Sequence, residues 1–111
     1  MEQVNSPPPA SPAAMLAAVL RILHPGKAIQ FAMRRVRIGS LTSFGMFYEA
    51  SFDPTSKDDL ARVVAMLTPE QRERFDDAYG VTAGLGLPSE IITAPASIWL
   101  AALVAATGSG E

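Results

Sequence analysis

The chain has no cysteine and a single histidine, His24. Disulfides, iron–sulfur clusters and thiol catalysis are thereby excluded. A conventional zinc site lacks its ligands, so neither a metal nor any other cofactor is expected. Charge is scarce as well. Only 18% of the 111 residues are charged, against roughly 25% in an ordinary soluble domain. No acid stands between Glu2 and Glu49, and no Lys or Arg follows Arg74. The net charge of −2 argues against a polyanion binder that engages its ligand with the whole surface. The first twelve residues hold one acid and no base. A secretory signal begins with a basic region, so a cytoplasmic location is expected.

What is present is apolar. Hydrophobic residues make up 49% of the chain and the mean hydropathy is +0.21, which excludes disorder over most of the length. The length suits one domain, able to bury about two-thirds of the surface its unfolded form exposes. Residues 1–11 are polar and proline-rich, with Pro7, Pro8 and Pro9 in a row. They read as a disordered tail ahead of a single domain over 12–108.

Helix signals dominate the rest. Ser11 can cap a helix that starts at Pro12 and stops at Pro25-Gly26. Its apolar residues Met15, Leu16, Val19, Leu20, Ile22 and Leu23 nearly encircle it. In Lys27–Ile38, Ala28, Ile29, Ala32, Met33 and Val36 form a stripe at helical period, opposite Lys27, Gln30, Arg34 and Arg37. Residues 40–52 fit a helical face through Leu41, Phe44, Phe47, Tyr48 and Phe52, yet their Thr, Phe and Tyr content also suits a strand. Ser56–Leu67 is amphipathic with Ser56 and Asp59 at capping-box spacing. Thr68-Pro69-Glu70-Gln71 opens another helix that ends at Gly80. Residues 81–94 read as a loop, and Pro95–Thr107 as a last helix without charge on any face. The expected fold is therefore all-α, a bundle of five or six short helices. The alternative is α+β, with a small hairpin near residues 35–52.

Two helices that are apolar all round are hard for one small domain to enclose. The surplus surface points to a second copy or a protein partner. The expected anchors are Leu16, Val19, Leu20, Leu23, Trp99, Leu100 and Leu103, because buried aliphatic and aromatic residues carry most interface energy. A membrane is not expected: the uncharged run 91–107 is at the short limit for a span and has no basic anchor. The rival function is nucleic-acid binding by Lys27, Arg34, Arg35 and Arg37, with Phe31, Phe44, Phe47 and Tyr48 as stacking groups. Ser56–Tyr79 does not suit a helix-turn-helix, since its second helix is net acidic. Glu70, Glu73 and Asp77 share a helix face but read as solvated or paired with Arg72 and Arg74, not as a metal site. The glycines at 80, 84 and 86 do not make a phosphate loop. No catalytic constellation stands in the sequence, so a non-catalytic interaction or assembly role is expected.

Overall fold

The computed structural model describes residues 11–32, 34–83 and 94–108. Helix α1 (Pro12–Leu23) leads into strands β1 (Ala28–Ala32), β2 (Arg35–Thr42) and β3 (Gly45–Phe52), followed by α2 (Lys57–Val64), α3 (Pro69–Ala83) and α4 (Ala96–Thr107). The strands form one antiparallel sheet in the order β1-β2-β3. The fold is thus α+β, and the expected all-α bundle is incorrect. The proposed tail at 1–10 and the loop at 84–93 lie outside the described residues.

The correction falls on residues 27–52, and four side chains explain it. Ile29 and Phe31 pack on the core from β1, and Val36 and Ile38 are buried in β2. Each pair is two apart, the period of a strand. The parity changes between the pairs because Ala32 and Arg35 are cross-strand partners, so the chain reverses there. Ala28 and Ala32 completed the helical stripe on paper, but alanine buries too little to fix a period. The expected helix over 27–38 is therefore two strands of a hairpin. Residues 40–52 belong to the β2–β3 hairpin, the arrangement the α+β alternative held.

Gly39, just past the expected helix over 27–38, lies inside β2. It pairs with Tyr48 while Ile38 pairs with Ala50, leaving Glu49 as the extra residue of a β-bulge. A Cβ at Gly39 would collide with the Phe47 carbonyl, so only glycine fits this crossing. At the hairpin tip the Thr42 hydroxyl accepts from Phe44 N and donates to Gly45 O, both at 3.1 Å. Gly45 has φ +122°, a left-handed value that favours glycine.

The helix caps follow the sequence closely. Ser11 Oγ accepts from Ala14 N at 3.1 Å, and Pro12 occupies the first turn of α1. Thr68 and Gln71 form a reciprocal capping box at 3.0 and 3.1 Å. Gly108 closes α4 with φ +73°. Gly80 does not stop α3, which runs on to Ala83. The glycine cost in a helix interior is only about 1 kcal/mol.

The core joins α1, α2, α3 and α4 to the inner face of the sheet. Leu16, Val19 and Leu20 of α1 meet Val36, Phe52, Leu60, Leu100 and Leu103 in one cluster. Helix α4 packs on α3, α1 and α2, while α1 also covers β1 and β2. The two all-apolar helices thus cover one another, and α2, α3 and the sheet complete the enclosure. Trp99 packs edge-on against Phe75 and Tyr79 at centroid distances of 6.4 and 6.3 Å, and those two rings meet tilted at 5.8 Å. Burial raises the Tyr79 hydroxyl above its ordinary pKa, and its hydrogen bond with Trp99 offsets part of that rise.

Candidate interaction surface

Side chains alternate across the sheet. Val36 and Ile38 point to the core, so Arg35 and Arg37 of β2 stand on the opposite face. Arg37 lies over the Tyr48 ring with its guanidinium carbon 4.5 Å from the centroid, a cation–π contact. The Tyr48 hydroxyl donates to Gln30 Oε1 at 2.5 Å. One residue from each strand therefore meets in a Gln30–Arg37–Tyr48 cluster on the face turned away from the helices.

Beyond this cluster the hairpin tip carries exposed apolar side chains on both of its sides. Phe44 is 89% exposed, Leu41 74% and Phe47 57%. Scattered single apolar residues on a surface are ordinary, but a contiguous group marks an interaction site. The tip is rigid at its base: the bulge and the Thr42 hydroxyl fix where Phe44 and Phe47 emerge.

The flanks are held by ion pairs. Lys27 Nζ donates to Glu49 Oε2 at 2.8 Å, and Ser40 Oγ donates to the same oxygen at 2.6 Å. The Lys27 hydrogen bond first, and the Ser40 bond second, hold the Glu49 carboxyl below its ordinary pKa. Arg35 donates to the Ser51 hydroxyl and carbonyl at 2.6 and 3.0 Å. It also reaches Asp59 at 3.4 Å, where Arg62 joins at 3.2 Å. Asp59 further accepts from Asp53 N at 2.7 Å, so α2 is tied to the foot of the sheet. The Asp53 carboxyl, accepting from the Thr55 hydroxyl and amide, is likewise held low, with the hydroxyl bond the larger cause.

The four expected basic residues are therefore divided. They do not form one helical stripe: Lys27 and Arg35 are paired with carboxylates. Arg34 and Arg37 have no ion pair among the described residues. Phe44, Phe47 and Tyr48 are exposed, with Tyr48 under Arg37 and Phe44 at the end of β2 away from Arg34, whereas Phe31 packs on the core. Of the expected apolar anchors, Leu16, Val19, Leu20, Leu100 and Leu103 are buried inside the chain itself, and Leu23 and Trp99 are partly buried against that core. Their apolar character needs no partner. Leu41 and Gln30 belong to the surface and were not expected there. The signal for Leu41 was its place two residues ahead of the Ser43-Phe44 turn, readable only once the hairpin is assumed.

Other candidates do not develop into sites. His24 sits at the end of α1 with Nε2 3.2 Å from Met66 Sδ. Arg72 pairs with Asp76 at 3.2 Å, and Arg74 donates to the Ala106 carbonyl at 3.0 Å. Among the described residues no group of three or more metal-ligating side chains comes together. No helix among them is long and apolar enough to cross a membrane. A cleft of about 300 Å³ opens between the starts of α1 and α4 and the β3–α2 connection, with Met15, Pro54, Ala96 and Leu100 in its walls. None of its lining residues titrates. In comparisons with known proteins, no family model, no curated protein and no solved structure matches the chain.

Proposed function

We propose that the chain is a non-catalytic interaction module that docks a protein partner or a second copy of itself. The docking face is the outer side of the sheet together with the β2–β3 hairpin tip. The observation that carries this reading is the exposure of Leu41, Phe44 and Phe47 at one end of that face, beside the Arg37–Tyr48 stack. Large apolar and aromatic groups with a flanking arginine are the composition of interface hot spots. Among the described residues, the most exposed large apolar side chains, Phe44 and Leu41, stand on the hairpin, whereas Ile22 of α1 and Met66 after α2 are less exposed.

Nucleic-acid binding is the second reading, favoured by Arg37 over the exposed Tyr48 ring and by Arg34, which has no ion pair among the described residues. Its weakness is the number of free cations. Two phosphate contacts give a salt slope of about −1.8, or an affinity loss of about twelvefold between 50 and 200 mM salt. That supplies little binding energy at ordinary ionic strength.

The experiment is site-specific photo-crosslinking in the cells that express the chain. A photoreactive phenylalanine analogue replaces Phe44 in one variant and Ala105, exposed on α4, in another. A discrete polypeptide adduct from position 44 and none from position 105 is expected. Equal labelling from both positions, or a nuclease-sensitive adduct at 44, would overturn the protein-docking reading.

A further inference from the structure

The charge of the chain is divided unevenly along the sequence. Residues 27–52, which form the sheet, carry four cations and one acid; the rest of the chain carries five cations and ten acids. The single acid of the sheet, Glu49, is tied to Lys27. On the outer sheet face Arg37 has no ion pair, and Arg34, in the β1–β2 turn at the edge of that face, has none either among the described residues. The acidic surplus includes one side of α3. Glu70, Glu73 and Asp77 are exposed there. They lie at offsets of three and four, so they share a helix face. None of the three forms an ion pair among the described residues, whereas Asp76 pairs with Arg72.

From this complementarity we infer that the occupant of the outer sheet face is a second copy of this chain, which presents the acidic side of its α3. This deepens the docking reading above and rests on it. A helix is the usual cover for a sheet face, and the described helices pack on the inner face of this sheet. Arg34 and Arg37 of one copy meet Glu70, Glu73 and Asp77 of the next. The Arg37–Tyr48 stack holds one guanidinium in place, which reduces the ordering cost of the contact. The two surfaces are unlike, so the contact is heterologous. The pair retains one open face of each kind, and assembly continues beyond two copies unless the rotation closes a ring.

That geometry gives a specific test with purified chain and light scattering after size exclusion. The wild type is expected to gain mass with concentration, and to lose it as added salt shortens the screening length from about 10 Å at 0.1 M to about 3 Å at 1 M. The variant Arg34→Ala/Arg37→Ala lacks the basic face, and Glu70→Ala/Glu73→Ala lacks the acidic one. Each alone is expected to run as a monomer. Mixed in equal amounts, they form a 1:1 dimer, because one intact face of each kind remains. Thermal melts within a few degrees of wild type check that both variants are folded. A wild-type monomer at every concentration, or variants that assemble as the wild type does, would overturn the inference. A monomeric wild type whose position-44 analogue still cross-links to a different polypeptide would retain the docking reading and remove the second copy. Loss of both results removes both.

Discussion

At the scale of single residues, the hairpin is organised by polar contacts that leave its apolar groups free. Lys27 and Ser40 converge on one oxygen of Glu49, and that carboxyl is held low as a result. Because the folded-state pKa is depressed, the stabilisation from this contact is complete above the ordinary value of 4.5. It is lost as the pH falls through the lower folded-state value. Lys27→Met is expected to raise the Glu49 pKa back toward 4.5, measured by a carboxyl carbon NMR titration. An unchanged titration would show that Ser40 alone sets the shift. Both partners are well exposed, so the change in global stability is small.

The elements differ in how much of them was legible. The capping signals of α1, α2 and α3 acted as read, because a cap is a local bargain between one side chain and one or two backbone N–H groups. Ser11, Ser56 and Thr68 each accept the expected bond. The strands were misread because their alanines mimic a helical stripe, and because the deciding parity change at 32–35 shows only when two segments are paired. The bulge at Gly39 was likewise invisible, since it is defined by its cross-strand partner Tyr48. Gly39→Ala tests it. The added methyl meets the Phe47 carbonyl, so the hairpin must shift or open. A stability loss of about 1–3 kcal/mol is expected in denaturant unfolding, with faster amide exchange in β3 than in α1. A neutral effect would mean the strand can restore regular pairing by moving Glu49.

For the molecule as a whole, the apolar helix residues expected to meet a partner are packed in or against the chain's own core. Two all-apolar helices do need covering, but α1 and α4 cover each other with help from the sheet, α2 and α3. The surplus apolar surface is real and lies on the hairpin, at Leu41, Phe44 and Phe47. Phe44 and Phe47 stand among the stacking groups expected from the sequence. Their exposure follows from long-range pairing, which no local pattern shows. The separation of a cationic sheet from an acidic remainder was half visible, as the absence of any acid between Glu2 and Glu49. What the pattern could not reveal is that Lys27 and Arg35 are neutralised while Arg34 and Arg37 are left free.

Two substitutions separate core from surface. Leu20→Ala removes a fully buried side chain and is expected to destabilise by about 2–5 kcal/mol. Phe44→Ser, at a position 89% exposed, is expected to stay within about 0.5 kcal/mol of wild type. Denaturant melts check both, and the reverse order would place Phe44 in the core and remove the apolar tip.

The most direct test is a dilution series of the 15N-labelled chain, following backbone amide shifts from high to low concentration. The account predicts concentration-dependent shifts in residues 34–48 and 70–77, with Leu16, Leu20, Leu100 and Leu103 unmoved. Shifts centred on α1 and α4, or a spectrum unchanged over the whole series, would contradict it.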